Sequence, residues 1–386
     1  MEARYTYRLQ VSPAQQRALQ EVFDSCRFVW NTSLGRWSDL WRYEQVPLGY
    51  VSMAAELTDW RGRYEWLAAV PVTPQQQVQR DLDKAVRAFY DKEHPGRRPR
   101  FKKKGSHSTA SRNVKGFSLR GDRLCGAVKG GRTPLRVVWS RALPSVPKSV
   151  TVYRDAAGRW WASFVVRIGP EDLGATGATT GLDVGLARFA TTEFADADIP
   201  NPRFARQAAK ALARSQRNLS RKVKGSHNRA KAKTATAKVD AHTASQRKDW
   251  QHKQACKLAR RLDRIGVEDL RIKNMVRNRR LSRAISDAGW GDFLSVLAWQ
   301  ARKVGHEVVR LDPRYTTQTC SGCGAKAKHR LGLAERTFWC DGCGLVEDRD
   351  RNAARNLNPD RWDKSVRVGQ GVDGRKTLVP AGTEAA

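Results

Sequence analysis

The 386 residues carry 72 Lys+Arg against 38 Asp+Glu, a formal net charge of +34. That length permits two or three domains with a buried core, and that charge exceeds what solubility needs and points to a polyanionic partner. No apolar run approaches the ~20 residues of a bilayer span, and Met1-Glu-Ala-Arg-Tyr5 does not read as a signal peptide. The expectation is a cytoplasmic, nucleoid-associated protein that binds nucleic acid and no membrane.

In chain order, Arg4–Gln10 alternates like a short strand, and Ser12-Pro13-Ala14-Gln15 reads as a capping box with proline at the first helical position. Leu19, Val22, Phe23, Cys26, Val29, Trp30 and Leu34 follow at helical spacing. A second cap, Thr73-Pro74-Gln75-Gln76, opens a helix with an apolar stripe of Val78, Leu82, Ala85 and Phe89. Gln75, Gln76 and Gln79 fall off that stripe. Amides placed there can pair with adenine, although a solvated face is the commoner reading and the one expected here.

Pro95–Lys104, PGRRPRFKKK, is a basic turn around Phe101. It suits backbone phosphates with base stacking, or else is a plain solvated loop. Strand-like runs at Leu135–Trp139, Ser149–Tyr153 and Trp160–Ile168 predict a small antiparallel barrel or sheet. Gly181–Thr192 predicts two strands about a tight bend, with Asp183 among apolar neighbours. A carboxylate there needs a metal, a partner or a proton, unless it only bonds the turn backbone before Gly185.

Residues 203–260 hold 17 Lys+Arg and two acids, Asp240 and Asp249, and read as two long basic helices broken near Gly225–Asn228. One sign of charge on that scale favours a phosphate partner over a merely solvated face. Ile265–Leu270 is a short strand carrying Glu268, by itself a plain strand-end charge. A helix marked by Trp290, Phe293, Leu297 and Val304 stops at Gly305, and His306–Leu311 is the next strand.

Cys320-Ser-Gly-Cys323 and Cys340-Asp-Gly-Cys343 are two CxxC pairs sixteen residues apart, the spacing of a four-cysteine zinc site. Four thiolates close the shell, so this Zn2+ should be structural. Cys26, Cys125 and Cys256 are scattered singles read as small buried residues without a role. Beyond the last CxxC, Asp348 or Asp350 should start an Ala-rich helix, where an acid often serves only as N-cap. With Asp183 and Glu268, an acid on this helix would complete a strand, strand and helix set of carboxylates. Two hard cations about 3.5–4 Å apart require such bridging and flanking oxygens.

The runs GLDVGLARFATT, IGVEDL and CxxC…CxxC followed by DRDRNAARN resemble the three RuvC segments and zinc ribbon of the TnpB (OrfB) family, RNA-guided endonucleases of insertion sequences. CRFVWN at 26–31, RPRFKKK, RKVKGSHNRAKAK and SDAGW at 286–290 extend the resemblance over nearly all of residues 4–357, in family order. It implies an α+β multidomain chain: a β-barrel from 1–10 and 96–178, a helical recognition domain at 11–95, an RNase H-like (RuvC) domain at 179–317 and 345–360, a zinc ribbon at 318–344, and a disordered tail at 361–386. Asp183, Glu268 and Asp350 would be the catalytic, Mg2+-binding triad, with Asp348 in reserve. Cys320, Cys323, Cys340 and Cys343 would bind zinc. Gln76, Gln79, Arg100, Phe101, Lys102, Arg221 and Lys222 are the candidate nucleic-acid contacts.

The implied partners are a guide RNA and a target DNA, with a transposase encoded nearby as a further candidate. The implied activity is RNA-guided DNA cleavage. The rival readings are a guided or direct DNA binder that does not cut, as a repressor would, and a transposition accessory protein. Small type V CRISPR effectors share the nuclease and ribbon.

Overall fold

The computed structural model describes residues 1–44, 48–93, 96–103, 110–113, 116–127, 134–327, 331–332, 335–361, 369–370 and 376–377. The chain divides into two compact units, Met1–Ile168 and Gly169–Ala386.

In the first unit the N-terminal strand β1 (Glu2–Gln10) leads into α1 (Pro13–Asp39), α2 (Tyr50–Arg63), α3 (Glu65–Ala68) and α4 (Val72–Tyr90). Strands β2 (Ala110–Asn113), β3 (Ser118–Arg120), β4 (Arg123–Cys125), β5 (Leu135–Val138), β6 (Ser149–Arg154) and β7 (Trp160–Arg167) follow. The sheet order is β2-β6-β7-β1-β5-β4-β3, antiparallel throughout. Among the described residues no pairing joins β2 to β3. The capping box at Ser12 and Gln15 is present in full. One flank of α1 lays Leu19 and Phe23 on the sheet, and another packs Val22, Cys26 and Val29 against Leu57, Leu67 and Val78 of the following helices.

Helix α4 departs from expectation. It starts at Val72 with Pro71 as N-cap and no side-chain cap bond, so Thr73 does not open it. Gln75 and Gln79 are buried. Gln75 Nε2 donates to Leu67 O at 3.0 Å and its Oε1 accepts from Arg61 at 2.6 Å, while Gln79 Nε2 donates to Met53 O at 2.6 Å. A single apolar stripe cannot foresee this, because α4 is covered on more than one side and its amides satisfy the polar groups of the elements that cover it. Gln79 is thereby withdrawn from base edges, and Gln76 stays half-buried.

In the second unit, β8 (Thr179–Val184), β9 (Arg188–Thr192) and β10 (Ile199–Pro200) form antiparallel neighbours. The helices α5 (Phe204–Ser220) and α6 (His227–Arg261) come next, divided where the sequence placed the break, and then β11 (Arg264–Glu268). The chain continues through α7 (Ile272–Met275), α8 (Ser282–Ala288), α9 (Trp290–Lys303) and β12 (Glu307–Leu311), then β13 (Thr337–Trp339), β14 (Val346–Asp348) and α10 (Arg349–Asn356). The sheet order is β10-β9-β8-β11-β12, with β8, β11 and β12 parallel. Leu182, Ile265 and Val267 face α6 and α9, where Phe189 meets Trp250 and Phe293 edge-on at 4.8 and 4.9 Å.

The opposite face of this sheet is set by two glycines. Gly181 on β8 pairs with Gly266 on β11, and a Cβ on Gly181 would lie 1.9 Å from Ala354 O, one on Gly266 1.8 Å from Leu357 O. The backbone of α10 thus rests directly on the strands, with Ala353, Ala354 and Leu357 wholly buried. The expected tail at 361–386 falls almost entirely outside the described residues. No helix among the described residues is long and apolar enough to cross a membrane.

A methyl at either glycine must lift the helix. Gly266→Ala should therefore cost about 1–3 kcal/mol or more, the usual penalty for overpacking, measured by urea unfolding; an unchanged midpoint would show that α10 does not rest on the strand.

Candidate functional site

Side chains alternate faces along a strand, so the residues two beyond Gly181 and Gly266 look out on the α10 side. Those residues are Asp183 and Glu268, at or next to the C-terminal ends of neighbouring parallel strands. From Gly181 to Asp183 is roughly 6.6 Å of strand, and from Ala354 back to Asp350 is about 6 Å of helix. The three carboxylates therefore gather at one end of the sheet. Burial is the main force raising the Asp183 carboxyl well above its ordinary value, followed by the charges of Glu268 and Asp350. Burial also raises Glu268, against a 2.6 Å hydrogen bond donated by Thr316 Oγ1.

Geometry separates the two aspartates that the sequence left open. Asp348 is the N-cap of α10, its Oδ1 accepting from Asp350 N at 3.0 Å and Arg351 N at 3.1 Å, while Oδ2 takes the Arg188 guanidinium. Both its oxygens are engaged. The Asp350 side chain is 15% exposed and among the described residues meets only long ion contacts, to Arg336 at 3.6 Å, Arg349 at 3.9 Å and Arg188 at 4.0 Å. Arg188, Arg349 and Thr316 were not singled out by the sequence, since nothing in a linear pattern marks which arginine or threonine faces an acid across the fold.

The four cysteines lie together. Their sulfurs are all within 4.8 Å of one another, and Cys320 to Cys343 and Cys323 to Cys340 measure 3.6 and 3.5 Å. Ligands at about 2.3 Å from one Zn2+ would be spaced near this, so the residues fit a closed tetrahedral site. The two knuckles repeat one geometry, with Gly324 N bonding Cys320 O and Gly344 N bonding Cys340 O, both at 2.9 Å. Gly324 and Gly344 have φ of 75° and 74°, the left-handed region that the turn demands. Among the described residues the acids do not form so tight a set.

The asparagines of the DRDRNAARN run join ribbon to helix. Asn352 accepts from Ser321 N at 2.8 Å and donates to Thr319 O at 2.8 Å, and Asn356 donates to Thr316 O and Thr319 O at 2.8 and 2.6 Å. One turn apart on α10, they lock the entrance of the first knuckle to the helix that carries Asp350.

In the first unit, two motifs 70 residues apart meet. Trp30 Nε1 donates to Arg100 O at 2.9 Å, and Asn31 exchanges two hydrogen bonds with the Lys102 backbone at 2.8 and 3.0 Å. Lys102 Nζ lies 3.8 Å over the Trp30 ring, and burial lowers its ammonium below its usual value. Phe101 is left 61% exposed between Arg100 and Lys102. Arg221 and Lys222 sit at the turn between α5 and α6.

Three family models match this chain: one described as a probable transposase (OrfB_IS605) over residues 163–279, a Cas12f1-like TNB domain over 290–357, and a helix-turn-helix domain over 1–45. In the last span the described residues form a strand, a 27-residue α-helix and a π-helical turn at Leu40–Glu44 that continues it. A Streptomyces pristinaespiralis protein provisionally named an RNA-guided DNA endonuclease is 36% identical over 92% of this chain and 88% of its own length. An Escherichia coli K12 protein provisionally named RNA-guided DNA endonuclease InsQ is 31% identical, with coverage of 92% and 90%. A cryo-EM structure of the Cas12f1-sgRNA-target DNA complex matches at a TM-score of 0.56 and 15% identity, over 90% of this chain and 83% of that one, which is a likeness of fold. Fold and site together define a mixed α/β chain with a four-cysteine cluster inside the stretch that the Cas12f1-like model matches. The chain belongs to the TnpB (OrfB) family.

Two outcomes follow from the geometry. A carboxyl raised above 3.8 in the folded chain holds a proton that the unfolded chain releases, so without divalent ions stability falls as pH rises from there through the folded value. Asp183→Asn should melt higher than the parent at neutral pH in magnesium-free buffer, by about 2–4 °C per kcal/mol relieved; a lower melting temperature would contradict the clustering. Removing zinc with a chelator should unfold the ribbon and loosen α10, seen as faster amide exchange at Asn352–Asn356; protection unchanged after metal loss would refute the link.

Proposed function

We propose that this chain is an RNA-guided DNA endonuclease of an insertion sequence, hydrolysing target DNA phosphodiesters with two magnesium ions held by Asp183, Glu268 and Asp350. The observation that carries the reading is the gathering of three carboxylates at one sheet end, with Asp183 raised by burial and by the other two. Such a donor set fits hard divalent cations, whose charge offsets the repulsion. Ions about 3.5–4 Å apart need donors on several sides, wider than one tetrahedral shell. Bound there, they would activate water and stabilise the leaving oxygen.

The protein's own groups prepare the site. Thr316 fixes one Glu268 oxygen, leaving the other free to bind. Asp348 starts α10 and takes the Arg188 guanidinium, which leaves Asp350 with only a 4.0 Å contact to that arginine. The strand order, antiparallel on one side of β8 and parallel on the other, supports the RNase H-like assignment. Sequence choice would come from base pairing between guide RNA and one DNA strand, the protein gripping the heteroduplex through its backbone. Arg100, Phe101 and Lys102, pinned along α1, and Arg221 and Lys222 would contribute to that grip. The four cysteines would hold a structural Zn2+ that steadies the first knuckle, to which Asn352 and Asn356 tie α10.

The test purifies the chain with its RNA from the host, sequences that RNA, and supplies a matching plasmid with magnesium. Cleavage confined to the matched plasmid and lost in Asp183→Ala is expected. Binding without cutting would leave a guided repressor, and cutting that survives the substitution would show the triad misassigned.

A further inference from the structure

Among the described residues three guanidiniums lie within 4.0 Å of the Asp350 carboxylate, and they are held in different ways. Arg188 donates to Asp348 and reaches Asp198 at 3.4 Å, so it is committed to two other acids. Arg349 is 11% exposed, and its Nη1 donates to Gly332 O at 2.7 Å. Arg336 is 55% exposed, and its described side-chain contact is the one to Asp350 Oδ2 at 3.6 Å. Two of these cations are therefore anchored elsewhere in the protein, and Arg336 is the one placed to leave.

The backbone brings Arg336 to this position. It directly precedes β13, whose Thr337 pairs with Asp348 of β14, and Arg336 O accepts from Arg349 N at 2.7 Å. The hairpin that carries Cys340 and Cys343 thus fixes the Arg336 backbone beside the start of α10, while its long side chain stays in contact with solvent.

At 3.6 Å the two charges attract without a hydrogen bond of ordinary length. Attraction at an exposed site is weak and screened by salt. A divalent ion carries twice the charge and takes carboxylate oxygens directly as ligands, at about 2.0–2.6 Å. It therefore displaces a guanidinium that only stands off from the same oxygen.

We propose that Arg336 is an exchangeable counter-cation of the carboxylate cluster. It sits against Asp350 while divalent ions are absent, swings away when they bind, and so sets the ion concentration at which the site fills. This rests on the reading of Asp183, Glu268 and Asp350 as divalent-ion donors.

The test uses the full-length, zinc-loaded chain freed of nucleic acid at high salt, with Mn2+ alone as the probe and the paramagnetic resonance of free Mn2+ as the readout. Arg336→Gln should bind Mn2+ about three- to ten-fold more tightly than the parent, the range that loss of one exposed charge gives against a divalent ion. Arg336→Lys should stay near the parent. The gap should narrow as potassium chloride rises, because salt screens the arginine. In a second arm, Arg336→Gln should melt about 1–3 °C below the parent in magnesium-free buffer, and that deficit should vanish at saturating Mg2+. A packing role for the side chain gives the same deficit at every Mg2+ concentration, and that result would overturn the proposal. So would Mn2+ affinity that is unchanged or weaker in Arg336→Gln while Asp183→Asn still abolishes binding; the triad reading would then stand without the arginine. Mn2+ binding indifferent to Asp183→Asn would defeat the triad reading itself, and the counter-cation with it.

Discussion

The second unit depends on one close contact, the backbone of α10 lying on the paired glycines of β8 and β11. Any side chain at Gly181 or Gly266 would hold the helix away. Because strand side chains alternate, the same two glycines decide that Asp183 and Glu268, each two residues on, project beside the start of that helix. Packing and carboxylate convergence are consequences of a single register, set by the Gly181–Gly266 pair.

Holding acids together opposes folding, and the surrounding groups bear that cost. Arg188 and Arg349 bring positive charge to the cluster, Thr316 donates to Glu268, and Asp348 caps the helix. The cysteine ribbon contributes at a distance, since Asn352 and Asn356 tie α10 to the chain entering the first knuckle. The four-cysteine cluster and the carboxylate cluster are in this way parts of one scaffold, and supporting contacts of this kind govern how well a site is aimed.

The first unit presents charge on a rigid support. Trp30 and Asn31 bind the backbone of the basic segment and leave Phe101 outward. An aromatic ring between cations, on backbone pinned to a helix, would lose little entropy on stacking against a partner. The glutamines of α4 show the reverse case, polar side chains taken inward as hydrogen-bond partners.

Much was legible from local pattern. The Ser12 capping box, the alternation in β5 to β7, the break between the two basic helices and the CxxC spacing all depend on neighbours in sequence, and each stands in the structure near its expected place. A repeated signal was also there to read: Gly181-Leu-Asp183 and Gly266-Val-Glu268 are both glycine, apolar residue, acid. What sequence could not decide was which partners meet across the fold. The choice between Asp348 and Asp350 as the less engaged carboxylate depends on where Arg188 lands, and the burial of Gln75 and Gln79 depends on Arg61 and Met53. Those distances are set by the closing of the core, where long-range packing overrides what each stretch would do alone.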